Sequence, residues 1–266
     1  MASATSRDRF PARRFLVRAA TALAPRLAGP LLLLALWTAA STSSPLVASV
    51  IPPPQAVVAA LLQRLRDGAL ATDVAASLAR AVLGMAAAVL VAVPIGVVMG
   101  TAPVLRRLLL GPVELLRPIS AIAWIPLAIL WFGIGLGSVV FVIFIGCVFI
   151  VLINTLAAVK EVDPDLVKAA RTLGAGRAAI FRKVIIPAAL PGILLGIRVA
   201  LAAAWGGVIV AEMIAAQEGL GYMIHWGQTT FRPELVIGGM VLIGVVGYGL
   251  NRLFVNIERR LLIGRL

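Results

Sequence analysis

The chain has 266 residues, of which 61% are hydrophobic and only 13% charged, with a formal net charge of +13 and a mean hydropathy of +1.05. A soluble domain carries about 25% charged residues, and here the apolar residues come in uninterrupted runs, so the composition describes a polytopic membrane protein. The cations lie between those runs without interleaved aromatics, which excludes a nucleic-acid surface, and a single cysteine (Cys147) with a single histidine (His225) excludes an internal disulfide and a zinc centre.

In chain order, residues 1–26 form a basic tail with Arg7, Arg9, Arg13, Arg14, Arg18 and Arg26. A first transmembrane helix is expected over residues 27–44, its apolar run spanning Leu27 to Ser43. A cleaved signal peptide also has a basic start followed by an apolar run. The basic region here is long and further spans follow, so an uncleaved anchor is expected. Residues 45–72 read as a periplasmic segment. Pro52, Pro53 and Pro54 cannot sit inside a membrane helix, and from Gln55 to Leu65 the apolar residues recur at helical spacing opposite Gln63, Arg64 and Arg66. That pattern predicts an amphipathic helix at the interface.

The core, residues 73–257, carries five further spans, at Ala75–Thr101, Val113–Ile134, Ser138–Thr155, Ala188–Ala211 and Leu235–Val255, with a polar loop over residues 156–187. Residues 258–266 close the chain. Six spans make the fold class all-α. With both termini inside, nineteen Lys and Arg face the cytoplasm and three (Arg64, Arg66, Arg232) the other side, while Arg80 and Arg198 lie within spans. Cytoplasmic loops carry the excess of cations, so this orientation is the expected one.

Within the polar loop, Asp163-Pro164-Asp165 supplies a cap, a proline at the first helical position and an acid in the first turn. The spacing predicts a helix from Pro164 to Leu173, stopped by Gly174, and a second from Arg177 to Val184 ending ahead of Pro187. Leu166, Ala169, Ala170 and Leu173 share one face of the first helix, with Lys168 and Arg171 elsewhere. Such a face either packs on its own protein or is offered to a partner.

Ionisable residues in spans are functional candidates. Arg80, with Ser77 and Asp73 one and two turns before it, could snorkel or pair locally. Arg198, ten residues into the fifth span, either bonds Asn154 or a backbone carbonyl, or attracts an anion along a translocation path. Glu212, at the end of that span, is expected to anchor the interface or bond a neighbouring backbone. Gly192, Gly196, Ala200 and Ala204, like Gly96 and Gly100 in the second span, fall four apart and predict close helix packing. Trp124, Trp131 and Trp226 read as interface anchors or packing residues, and His225 as an outer-surface residue.

The run Lys168-Ala169-Ala170-Arg171-Thr172-Leu173-Gly174, followed by Ile185-Ile186-Pro187, resembles the EAA motif of binding-protein-dependent ABC importer permeases. The stretches IPLAILWFGIG (Ile125–Gly135), INT (Ile153–Thr155) and GIRVALAAAWGGVIVAEMIAAQEGLGYMI (Gly196–Ile224) resemble the branch serving aliphatic sulfonates, taurine and nitrate. The resemblance implies a type I ABC importer permease core in the bacterial inner membrane, with residues 156–187 as the coupling loop. Leu166, Ala169, Ala170, Arg171, Leu173, Gly174 and Ala175 would be the ATPase-coupling positions, with Lys168 where the family usually has glutamate. Arg198, Asn154 and Glu212 become translocation-path candidates, and Gly219, Leu220 and Gly221 outer-gate candidates, a plain periplasmic turn being the alternative for the last three. The implied partners are a second copy of the chain, two ATP-binding cassette subunits, an extracytoplasmic solute-binding protein and the lipid bilayer. The chain has no G-x-x-x-x-G-K-[ST] phosphate loop, so ATP and Mg belong to the partner ATPase and this subunit is expected to bind no cofactor and to be no enzyme. The implied cargo is a small anion; the alternative keeps the architecture and imports a vitamin or vitamin precursor of the thiamine-precursor or riboflavin class. An intramembrane enzyme would need paired Asp, a Ser/His arrangement or metal ligands within the spans, and a channel would need no coupling motif.

Overall fold

The structure, a computed structural model, describes residues 28–263; the basic tail and the last three residues lie outside the described residues. The chain divides into two compact units, one ending at Ala60 and one from Leu61 onward. In the first, α1 (Ala28–Thr42) is followed by α2 (Pro45–Val50), capped by the Ser44 hydroxyl, which accepts from the Val47 N–H at 3.2 Å. The Trp37 indole donates to the Pro52 carbonyl at 3.0 Å. The triple proline ends α2, and its last member opens α3 (Pro54–Arg66), as the missing N–H allows.

The second unit holds α4 (Ala69–Thr101), α5 (Pro103–Leu116), a 3-10 turn (Ala121–Trp124) with α6 (Ile125–Phe132), and α7 (Leu136–Lys160). After these come α8 (Pro164–Thr172), α9 (Arg177–Ile180), a π-helical turn (Phe181–Ile185), α10 (Ile186–Ala215), α11 (Leu220–Thr229) and α12 (Pro233–Ile263). α7 is the centre. Gly84, Gly96 and Gly100 of α4 meet Ile143, Thr155 and Val159 of α7, so the two helices run parallel at one constant offset. From α10, Gly192 and Gly196 meet Ala158 and Asn154 in the opposite order, and Ala200 and Ala204 are buried in the same core. The small residues therefore bring α4 and α10 against α7 within one chain. α12 runs antiparallel to α10, with the Trp205 indole donating to the Ile243 carbonyl at 3.0 Å. Large apolar side chains such as Leu90, Val241 and Val245 stand exposed, as a lipid-facing surface requires.

The parallel pairing of α4 and α7 settles how the chain travels between them. It must return from the level of Thr101 to that of Gly135, so the segment between is a crossing and not a re-entrant loop. A span is expected over Val113–Ile134; the return that makes it starts earlier and is broken, α5 and the 3-10/α6 segment meeting at 85°. Arg117 is still helical (φ −55°, ψ −38°), but Pro118 has no N–H to continue the ladder; the Ile119 N–H closes a tight turn onto the Leu116 carbonyl at 3.1 Å, and the chain turns away at Ser120 (ψ 136°). Among the described residues, five helical runs are long and apolar enough to span a bilayer, and six when this bent pair counts as one. One of the five is Pro45–Arg66 taken across its proline break, while α1 is shorter than a span.

A second expectation also fails. The basic helix after Gly176 does not stop ahead of Pro187 but runs on as one length from Arg177 to Ala215. The π turn at Phe181–Ile185 supplies the reason: widening the helix there makes room for the Pro187 ring, which would otherwise clash with the carbonyl four residues back.

Cys147 is wholly buried in α7, and its thiol lies 3.5 Å from the Ala200 carbonyl, so it is expected to resist aqueous maleimides. After Cys147→Ala, the charge asymmetry predicts that a cysteine at Gln55 labels from outside intact cells, and one at Ala175 only after the cells are opened. Labelling of position 175 in intact cells would reverse the topology.

Candidate functional site

Two sites lie at opposite ends of α7. At its C-terminal end the chain leaves Lys160 and enters α8, where the Asp163 carboxylate accepts from the Asp165 N–H at 2.8 Å. Gly174 (φ 79°) closes the helix: its N–H donates to the Arg171 carbonyl at 2.9 Å and that of Ala175 to Ala170 at 3.0 Å. These two bonds are the paired closure that a left-handed residue makes after a helix. No residue of α8 is buried. Leu166 is 51% exposed, Leu173 87%, Ala169 is exposed, and Ala170 and Ala175 are half-buried. Among the described residues Lys168 pairs only with Asp165, one turn away at 2.8 Å, and Arg171 is exposed. A helix capped at both ends with its apolar face uncovered can receive a partner without remodelling.

At the other end is a cluster of charges that binds three elements together. On α4, Asp73, Ser77 and Arg80 are 3%, 0% and 3% exposed, and Glu212 of α10 is 0%. Arg80 Nη1 donates to Glu212 Oε1 at 2.8 Å and to the Glu218 main-chain oxygen at 2.7 Å. Ser77 Oγ donates to Glu212 at 2.8 Å. Arg64 donates to Asp73 Oδ2 from Nε (3.0 Å) and Nη2 (2.8 Å). α11 begins at Gly219 without a cap of its own, and its first N–H groups are capped by other helices. Gly219 N–H donates to Asp73 (2.9 Å), Leu220 N–H to Ser77 (2.9 Å) and Gly221 N–H to Glu212 (3.0 Å). Carboxylates at a helix N-terminus meet both its free donors and its dipole. A Cβ at Gly219 or Gly221 would run into Glu212, and one at Gly221 also into the Ile209 carbonyl, so only glycine admits this approach.

The expected site residues thus have different fates. Gly219, Leu220 and Gly221 are brought together and pinned. Glu212 does bond a neighbouring backbone, but it is sealed inside the clasp and does not anchor an interface. Arg80 neither snorkels nor pairs with Asp73; its acids are Glu212 and Glu218. Arg198 does not reach Asn154, whose amide donates to the Ile150 carbonyl of its own helix at 2.8 Å. Arg198, 41% exposed, lies against α12, with Nε 3.4 Å from Asn251 Oδ1 and Nη1 3.9 Å from Glu258. Trp226, with Tyr222 stacked on it, and Trp131 are exposed; Trp124 is half-buried against Phe141. His225 is half-buried on α11. Asp73 and Glu218 were missed as site residues, although Asp73, Ser77 and Arg80 on one face of an apolar helix are a legible signal.

Residues 92–263 match the family described as binding-protein-dependent transport system inner membrane component. The chain belongs to that family. The permease is 37% identical to the taurine transport system permease protein TauC of Escherichia coli over 86% of this chain and 85% of that one. It is 40% identical to the putative ABC transporter permease protein MJ0413 of Methanocaldococcus jannaschii over 81% and 83%. Other relatives are named for aliphatic sulfonates and nitrate. Among solved structures, an inward-facing MetNI methionine ABC transporter chain shares the fold at a TM-score of 0.63 and 23% identity, over 75% of this chain and 95% of that one. The permease is therefore a multi-pass ABC transport subunit of the taurine, sulfonate and nitrate type.

Removing one partner from a buried, hydrogen-bonded ion pair costs about 3–5 kcal/mol. Glu212→Ala is expected to loosen the start of α11, so that a cysteine placed at the wholly buried Leu220 on a Cys147→Ala background becomes reactive to maleimide. If position 220 stays protected in Glu212→Ala, the clasp does not hold the segment.

Proposed function

We propose that two copies of this permease form the translocation path of an ATP-driven importer. Both termini face the cytoplasm. Two ATPase subunits seat α8 in their clefts, and an extracytoplasmic binding protein delivers a small anionic solute of the taurine, sulfonate or nitrate class. The observation that carries this reading is α8, an uncovered amphipathic helix capped at both ends, in a chain of this family. ATP binding closes the ATPase pair, and α8 transmits that movement to α7 and α10, between which it is strung. Because α4, α7 and α10 approach through glycine and alanine, they rock as a body and open the path outward. Arg198, exposed on the single chain, supplies cationic character for an anion where the copies face each other. ATP and Mg stay on the ATPase.

The reading predicts that Ala170→Glu and Gly174→Val insert and pair normally but uncouple. The first places a charged, bulky group on the docking face; the second strains a left-handed residue by roughly 1 kcal/mol or more. The measurement is ATP hydrolysis and uptake by the reconstituted complex with binding protein loaded with taurine, an alkylsulfonate, nitrate or riboflavin. Loss of stimulation in both variants is the expected result. Full stimulation and uptake in both would reduce the loop to a connector, and uptake of riboflavin alone would replace the anion by the vitamin alternative.

A further inference from the structure

Beside the clasp lies a cavity of about 430 Å3, lined by Ala76, Arg80, Gly135, Leu136, Gln217 and Glu218 among others. It lies at the end of the unit where α11 begins, opposite α8. Its one cation is Arg80, whose side chain is only 4% exposed. The guanidinium is unevenly used. Nη1 makes two short bonds, to Glu212 and the Glu218 carbonyl. The opposite edge, Nε with Nη2, is the fork that receives two oxygens of an oxyanion side by side. There, among the described residues, Nε is buried with no partner, and Nη2 has only the Glu218 carboxylate at 3.2 Å, on a side chain 52% exposed.

We infer that this cavity is an outward solute site for a small zwitterion, in which the Arg80 fork takes an oxyanion head and Glu218 takes an ammonium group. The charge count decides the ligand class. Arg80 stands between two carboxylates, and Asp73 is already held by Arg64. A simple anion displacing Glu218 from the fork would leave that carboxylate unpaired beside it. A solute with its own ammonium gives Glu218 a new partner as the fork is taken, so every charge stays compensated. Glu218 is half-exposed and sits on the loop before α11, so its exchange costs little packing. The permease then offers a second selection step after delivery, one that favours an amino-sulfonate over a hydroxy-sulfonate of the same length.

This inference rests on the importer reading, and the test separates the two. The full-length permease with its ATPase, in nanodiscs and without binding protein, is titrated with taurine and with isethionate, which replaces the ammonium by a hydroxyl. Taurine is expected to bind roughly tenfold more tightly, the order of one partly exposed charge pair. Glu218→Gln should erase that preference while leaving the melting temperature in place, and Arg80→Lys, which keeps the charge but not the fork, should weaken both ligands. Equal binding of the two ligands to the wild type, or an unchanged preference in Glu218→Gln, overturns the zwitterion site. So does the absence of binding in a complex that still imports taurine from its binding protein, and in that case the importer reading stands. A complex that binds taurine by this pattern but hydrolyses no ATP and imports nothing supports the site and contradicts the importer reading.

Discussion

The structure depends on one buried charge pair. Arg80 and Glu212 sit on different helices, both close to fully buried, and neither could remain there alone, since an unpaired charge in that setting costs several kcal/mol. Their pairing does more than cancel charge. It positions Glu212 to accept from Ser77 and from the Gly221 N–H, and it positions Arg80 to hold the Glu218 carbonyl. The segment between α10 and α11 ends at Gly219 with no side-chain cap of its own, so the backbone donors at the start of α11 take their shape from α4 and α10.

That clasp closes one end of a block whose middle is α7. Two small-residue stripes pack on adjacent faces of α7, one parallel and one antiparallel to it, and the Gly135 N–H joins the Ala215 carbonyl at 2.8 Å where α7 begins and α10 ends. α8 hangs between the other ends of the same two helices. Close-packed cores move as bodies and do not deform continuously. On the proposed coupling, a push delivered at α8 has a close-packed route to the pinned segment at the start of α11, entering α10 through the π turn at Phe181–Ile185.

Much of this was legible in the sequence because its signals are local. Asp163, Pro164 and Gly174 mark the two ends of α8 within a dozen residues, and the four-residue spacing of Gly192, Gly196, Ala200 and Ala204 marks a packed face. The clasp was not legible in the same way, because Arg80 and Glu212 are 132 residues apart and nothing in either neighbourhood names the other. Three polar residues at helical spacing on α4 read as a snorkelling or locally paired arginine, and nothing beside them points to Glu212. The break within the third span and the continuation of the helix through Pro187 are not legible in the sequence for a related reason. A proline in an apolar run can break a helix, as at Pro118, or be accommodated, as at Pro187, Pro191 and Pro94, and surrounding backbone geometry makes the choice.

The most direct test of the rigid route is the distance, within one chain, between spin labels at Ala175 beside α8 and Gln217 beside the clasp. Labelled Cys147→Ala chains would be diluted with unlabelled ones and assembled with the ATPase, and the distance compared with and without ATP. A rigid block keeps that distance the same in both states. A shift or a broadened distribution on ATP binding would mean that the segment before α11 moves independently of α8, and would contradict it.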